Sequence, residues 1–548
     1  MKRHSALFII LWATLFSATA GEVKIKIRHQ YLNFPISHSV ERKPLLMQVS
    51  GGGECCPDIR LAEDEVDYWV FQDVSLWKGK TITLSGDFSE ATLARIYQAD
   101  TLADTSQLYH EAQRPQYHFT TRRGWINDPN GCIYLNGRYH LFYQHNPYER
   151  DWGNMHWGHA VSTDLLHWQE LPLALHPDHL GTMFSGTAIF DYANTAGLKR
   201  PALVAFYTAD GQWETQCMAY SYDEGLTFSK YEGNPVVDSH KRWQSHDTRD
   251  PKVFRYGGDK GHWVMVVNER NGNTIYNSTD LKHWTPMSHI EGFWECPELF
   301  ELPVIGEGQE THWVMWGASG TYQIGQFDGM TFTPETPKLC NLGGSAYAAQ
   351  TFANMPSADG RVIKMAWGRI TFDQMPFNGC MLLPQEQTLR RTSQGLRLYS
   401  YPVREVESLF APSLEADNLS ADEANRLLQL YHDDDVLHMK VTLHLTYATD
   451  AGVSYRGQRL LSYDLNGNRL NGEFYATDAH EPLDITADIY VDRSVVEVYI
   501  DEGAFSCSMK RDGHGDQGYE IWGNQVQVKH LEIRKMASIM RGHEHHKK

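Results

Sequence analysis

The sequence predicts an all-β protein: a five-bladed β-propeller followed by a C-terminal β-sandwich, with a small β module in front. Three observations predict it. A short apolar, strand-like element recurs through the middle of the chain, helical periodicity there is weak, and Gly, Pro, Asn and Asp turn signals return at regular intervals. An irregular double sandwich is the competing architecture.

The first residues read as an address. Met1 to His4 is basic, Ala6 to Phe16 is an apolar run of signal-peptide length, and Ala18-Thr19-Ala20 offers a small-x-small cleavage site before Gly21. No Cys follows the cut, so a lipid anchor is not expected, and no later stretch is long and apolar enough to span a membrane. The expectation is an exported protein, periplasmic or extracellular, with no membrane span. Composition narrows its partners. Asp plus Glu outnumber Lys plus Arg by 68 to 49 in 548 residues, a net charge of −19, which argues against a nucleic-acid binder. The 16 Trp, 28 Tyr and 22 Phe suit a large β protein and sugar stacking alike.

Residues 21 to about 104 carry candidate strands at Val23–Ile27, Leu45–Val49, Tyr68–Val74 and Thr81–Leu84, and Ser106 to Pro115 reads as a polar linker. The repeat then begins. Strand elements start at Tyr139, Ala202, His262, His312 and Arg361, spaced by 63, 60, 50 and 49 residues. A second element follows most of them: Ser162 to Trp168 (STDLLHW) and Ser278 to Trp284 (STDLKHW) are near copies, with looser versions at Ser221 to Phe228 and Gln326 to Phe332. Units of this length with several strands each match propeller blades, which cannot bury their faces alone and pack around an axis. Five strand copies imply five blades.

Beyond about residue 396 the alternation resumes at Leu437–Leu443, Ile485–Tyr490, Val495–Ile500 and Val526–Ile533, the pattern of a β-sandwich, with a helical turn expected over Asp422–Gln429. The His-containing tail, Arg541 to Lys548, reads as a frayed end. The organisation is therefore a signal peptide over 1–20, a β module over 21–105, the propeller over 115–395 and the sandwich over 400–538. Eight Cys are sparse for this length; most read as small buried hydrophobes, with pairing open.

Three acids stand at sharp turns of the repeat region: Asp128 in GWINDPNG (124–131), Asp250 in TRDP (248–251) and Glu295 in WECPELF (294–300). Asp128 and Asp250 precede Pro directly and Glu295 is two residues before one; Pro fixes its own backbone and restricts its predecessor, which holds such a carboxylate in one direction. Each has a structural alternative, since Asp-Pro and Asn-Gly are common turn pairs, Arg249 with Asp250 fits a local ion pair, and Glu295 fits a turn cap. Three such turns in one propeller, converging on its axis, favour chemistry. His156 and His159 suggest a zinc reading, but no completing ligands stand near them in sequence.

These residues resemble the three signature motifs of glycoside hydrolase family 32, which includes invertases, inulinases and levanases: His118 to Gly131, Arg249 to Pro251 and Glu295 to Pro297. The resemblance runs on through Tyr139 to Pro147, Trp152 to Ala160, Phe184 to Gly186, Tyr347 to Gln350 and, in the sandwich, Asp492 to Glu497, covering about residues 114 to 538. It implies the same propeller and sandwich, a retaining hydrolase of fructosides and no cofactor or metal. By it Asp128 is the nucleophile, Glu295 the general acid/base and Asp250 the stabiliser of the transition state. Asn127, Gln144, Trp152, Phe184, Ser185 and Arg249 match positions that bind the terminal fructose. Retention requires the nucleophile and acid about 5–5.5 Å apart, and Glu295 is expected to have its pKa raised by an apolar setting of Trp294 and Phe293.

Two positions depart from the family pattern: Glu298 stands where Asp is common, and Ser345-Ala346 replace an acidic residue and Phe ahead of Tyr347. The segment Met375 to Pro384 and the leading β module look similar to bacterial levanase-like members. The expected partner is a fructan or fructo-oligosaccharide, cleaved from its end, with sucrose as a further substrate; oligomeric state is open. Endo-cleavage, transfructosylation and non-catalytic fructan binding are the alternatives.

Overall fold

The computed structural model describes residues 21–446, 450–464, 469–474 and 483–540. The signal peptide read over 1–20 and the tail read over 541–548 lie outside the described residues.

The N-terminal module is two antiparallel sheets on one core. Gly21–Lys26, Thr81–Gly86 and Lys43–Val49 form one, and Tyr68–Asp73, Tyr31–Ile36 and Tyr97–Ala99 the other. Strict alternation places Leu45, Met47, Val70, Ile82 and Leu84 inside. The central strand Tyr31–Ile36 is one that sequence reading passed over, because Asn33 and Pro35 break its pattern. Pro35 is tolerated because the neighbouring Tyr97–Ala99 pairs only as far as Asn33, so no strand needs its missing N–H on that side. Within Ser106 to Pro115, Ser106, Gln107, His110 and Ala112 are exposed, while Glu111 and Arg114 are buried, paired at 2.8 Å, and the guanidinium lies 3.5 Å from the Phe377 ring centroid.

Five sheets follow, antiparallel but for Phe377–Asn378, which pairs parallel to the first strand of the first; they open with Gly124–Leu135, Thr182–Asp191, Thr248–Tyr256, Glu298–Pro303 and Ala346–Thr351. The recurring apolar element is the second strand of each sheet, here Arg138–Asn146, Ala202–Asp210, His262–Glu269, Thr311–Trp316 and Val362–Gly368. Its continuous hydrophobicity follows from burial on both faces. Leu203, Ala205 and Tyr207 pack toward the first sheet, and Val204 and Phe206 toward the third. Every consecutive pair of sheets shares such an apolar cluster, and the fifth shares one with the first, which closes the ring of the propeller. The second recurring element is the turn after the third strand. Asp164 Oδ1 accepts the N–H groups of Leu166 and His167 at 3.0 and 2.8 Å, Asp280 Oδ1 those of Lys282 and His283 at 3.0 and 2.9 Å, and Asp223 and Asp328 do the same work in their sheets.

A seven-stranded and a five-stranded sheet then face each other as the β-sandwich. The helix expected at Asp422–Gln429 is Ala421–Leu428, started by a capping box of Ser420 and Glu423. Asp492 and Glu497 fasten the sandwich to the propeller. Asp492 accepts the backbone N–H groups of Gln116, Tyr117 and His118, and the His118 ring joins both acids, Nδ1 to Asp492 and Nε2 to Glu497, each at 2.8 Å.

Candidate active site

The predicted residues gather at one mouth of the ring because the opening strands bulge there. Asn127 and Asp128 together face Gln144, Phe184 and Ser185 together face Thr208, and Asp250 and Pro251 together face Val267. In the fifth sheet Ala348 and Ala349 face Ala366 in the same two-to-one way. A bulge turns a side chain that regular pleating would send between the sheets. Asp250 completes the turn with φ +65° and Cys296, ahead of the fourth sheet, with φ +47°, backbone conformations that only surrounding contacts hold for such residues. The bulges leave no hydrophobic period and were not legible in the sequence.

Asp128 and Asp250 meet around Cys296. Ser185 Oγ donates to Asp128 Oδ2 at 2.6 Å. The Cys296 N–H donates to Asp250 Oδ2 at 3.0 Å, and its thiol lies 3.6 Å from Asp128 Oδ2 and 3.5 Å from Asp250 Oδ2. Thr208 Oγ1 accepts the Asp250 N–H at 2.9 Å, fixing the turn. Burial raises the pKa of both acids. For Asp128 the hydrogen bonds from Ser185 and Asn127 oppose it; for Asp250 the charge of Asp128 adds to it and carries the value to about 8, against the opposing pull of Arg249. Cys296 is thus no inert apolar residue, and the carboxylates hold its thiol neutral, well above the ordinary thiol range, after burial itself. Cys132, Cys217 and Cys380 are buried, and Cys56 and Cys340 are exposed.

Glu295 approaches from the fourth sheet's entry. Arg249 Nη1 donates to Oε1 at 2.8 Å and Tyr347 OH to Oε2 at 2.7 Å, so each oxygen is aimed by one donor. Arg249 is itself held by Glu214 at 2.8 Å and Asp247 at 3.0 Å. The apolar setting expected from the neighbouring aromatics is not what surrounds the carboxyl. Phe293 is buried in the cluster between the third and fourth sheets, and Trp294 is exposed. The contacts Glu295 makes are polar.

Around the acids, Asn127 Oδ1 accepts from Trp125 Nε1 at 2.7 Å and Gln144 Nε2 donates to Met183 O at 2.7 Å. Trp152, 53% exposed, meets Phe184 edge-on at 6.0 Å on the rim. All nine predicted residues therefore stand at one mouth. Sequence reading missed Tyr347 as a partner of Glu295, although its motif was visible, and missed Cys296, Thr208 and Glu214, whose partners lie far away in sequence. Glu298 faces the interior of the axis, where Lys252 pairs with it at 2.9 Å and the Thr351 hydroxyl donates to it. A cavity of about 450 Å³ at the far end of the axis, between Tyr192, Phe254, Trp313 and Asn354, holds none of the predicted residues. His156 and His159 turn to separate partners, Asn154 O and His140, and among the described residues no three His, Cys, Asp or Glu are grouped to hold a metal.

The family model for the glycosyl hydrolases family 32 N-terminal domain matches residues 118–402. A levanase of Bacillus subtilis is 36% identical over 503 residues, covering 82% of this chain and 73% of the relative. An extracellular exo-inulinase of Aspergillus niger is 31% identical over 500 residues, covering 75% and 92%. Among solved structures, exo-inulinase from Aspergillus awamori superposes with a TM-score of 0.66 at 27% identity, covering 79% of this chain and 99% of that one. A fructofuranosidase from Schwanniomyces occidentalis complexed with fructose gives 0.67 at 25% identity, covering 80% and 100%.

Proposed function

The chain belongs to glycosyl hydrolases family 32, and from that premise we propose that it is a secreted enzyme releasing terminal β-D-fructose from levan- or inulin-type fructans and from sucrose. The family makes it a glycoside hydrolase of β-fructofuranosides; the terminal mode of attack, the retaining mechanism and the residue roles are our reading. The observation that carries it is the meeting of Asp128, Asp250 and Glu295 from three sheets, the two Asp around Cys296 and Glu295 held by Arg249 and Tyr347.

In the reaction Asp128 attacks the anomeric carbon of the bound fructose while Glu295 gives its proton to the departing oxygen, which leaves a fructosyl ester on Asp128. Water then loses a proton to Glu295 and displaces the ester, returning both groups to their starting states. Ser185, Asn127 and the Cys296 thiol favour the charge that Asp128 needs. The proton-holding tendency of Asp250 keeps a second full charge away from Asp128 and suits it to fructose hydroxyls as the ring flattens. Arg249 and Tyr347 aim Glu295.

Incubation with levan, inulin and sucrose, followed over time, tests the reading. Fructose as the sole early product supports it. Short oligomers indicate endo-cleavage, longer products indicate transfer to sugar, and binding without products indicates a non-catalytic protein; each of these replaces it.

A further inference from the structure

The loop that carries Trp152 joins two strands of the first sheet, yet the N-terminal module holds it. Tyr148 is buried in that module's own apolar cluster, edge-on to Phe34 at 5.9 Å, and its hydroxyl donates to Gln72 at 3.1 Å. Glu149 is 0% exposed and bound wholly from the module: Arg42 Nε at 2.9 Å and also Nη2, Arg60 N at 2.8 Å and Arg60 Nη1 at 2.6 Å. Arg60 Nη1 also reaches Asp151 at 2.9 Å. Asn154 exchanges two hydrogen bonds with the Asp58 backbone, at 2.8 and 2.9 Å. Between these anchors Arg42 Nη1 donates to the Trp152 carbonyl at 3.3 Å. Gly153 makes room for it, since a Cβ there would stand 3.2 Å from that nitrogen. No residue from Tyr148 to Asn154 lies more than two positions from a contact with the module.

We infer that the N-terminal module is a working part of the sugar pocket, with Arg42 and Arg60 as positioning residues that set Trp152 through its loop. A buried carboxylate with two guanidiniums is costly to break, which makes it a rigid anchor. A planar guanidinium serves Glu149 and the Trp152 carbonyl together, which an ammonium on a flexible stem does not. A module tethered only to bind substrate elsewhere has no need to insert donors beside a rim aromatic. The inference rests on the reading of Trp152 as a wall of the fructose pocket.

The test is a double-mutant cycle of Arg42→Ala and Trp152→Ala in the full chain, with kcat and KM measured on levan and on sucrose. Trp152→Ala is expected to raise KM. Arg42→Ala is expected to raise it about three- to tenfold with kcat nearly unchanged, and to add nothing once Trp152 is gone. A purely structural Arg42 would lower the amount of active enzyme and leave KM alone. Unchanged KM in Arg42→Ala while Trp152→Ala raises it, or additive effects, overturns the inference and leaves the pocket reading standing. Unchanged KM in Trp152→Ala defeats the pocket reading and the inference with it. If Arg42→Ala does not fold, Arg42→Lys keeps a charge opposite Glu149 and carries the same cycle, with a smaller rise in KM expected and additivity again decisive against.

Discussion

Two clusters in this molecule are built from the same materials, two Asp or Glu carboxyls and more around a few donors, and they behave in opposite ways. Where the sandwich meets the propeller, Asp492 and Glu497 have the His118 imidazole between them, one ring nitrogen for each, together with backbone N–H groups and the Tyr499 hydroxyl. Burial opposes the charge, but the two carboxylates outweigh it and raise His118 to about 9. At the propeller mouth no cation among the described residues stands between Asp128 and Asp250. They share a neutral thiol, Asp128 takes a hydroxyl and Asp250 an N–H, while the nearby guanidinium of Arg249 is turned to Glu295 and Glu214. Full compensation makes a fastening; deliberate under-compensation leaves carboxyls ready to change state.

The sharpest way to break this contrast is Asp128→Asn. It should lower kcat by roughly 10⁴-fold or more, as loss of a covalent nucleophile does, while circular dichroism and melting temperature stay close to wild type. His118→Ala should do the reverse. Stranding two buried carboxylates costs about 3–5 kcal/mol of stability, read by chemical denaturation, with kcat little changed well below the melting point. Ser185→Ala removes a charge-assisted hydrogen bond from Asp128, so kcat/KM should fall about tenfold or more. Because that bond lowers the Asp128 pKa, its loss should move the acid limb of the pH profile to higher pH.

The smallest effect lies in the pH dependence of stability. His118 has a folded pKa near 9, above its ordinary value, so its contribution is full below about pH 6.5 and is lost as pH rises through 9. Asp250, raised to about 8, also loses stability with rising pH, but from about pH 4 up to its folded value. Asp250→Asn should flatten the lower window alone and raise the melting temperature at neutral pH, with activity reduced. His118→Gln should flatten the upper window alone. Thermal melts across pH 4 to 9.5 separate the two.

How much of this was readable beforehand follows from the range of each interaction. The doubly buried second strands left long apolar runs, and the Asp-centred turns left near-identical heptapeptides, so the propeller could be read from local pattern. The acids were visible because Pro-adjacent turns mark them. The bulges at Asn127–Asp128, Phe184–Ser185 and Asp250–Pro251 have no composition signal. Cys296 meets Asp128 across 168 residues and His118 meets Glu497 across 379, distances at which sequence spacing says nothing about contact. The grip of Arg42 and Arg60 on the Trp152 loop was hidden for the same reason, and within the polar linker Glu111 and Arg114 are buried because they pair with each other and Arg114 stacks on Phe377.

The central claim is that the mouth divides its carboxyls into one nucleophile and one proton carrier. Rapid quenching of turnover in acid, followed by mass spectrometry of the proteolytic peptides, tests it most directly. The account predicts one fructosyl unit esterified to the peptide holding Asp128, absent in Asp128→Asn, with first-released fructose in the retained configuration. A fructosyl ester on Asp250 or Glu295, or inverted fructose with no ester on any peptide, would contradict it.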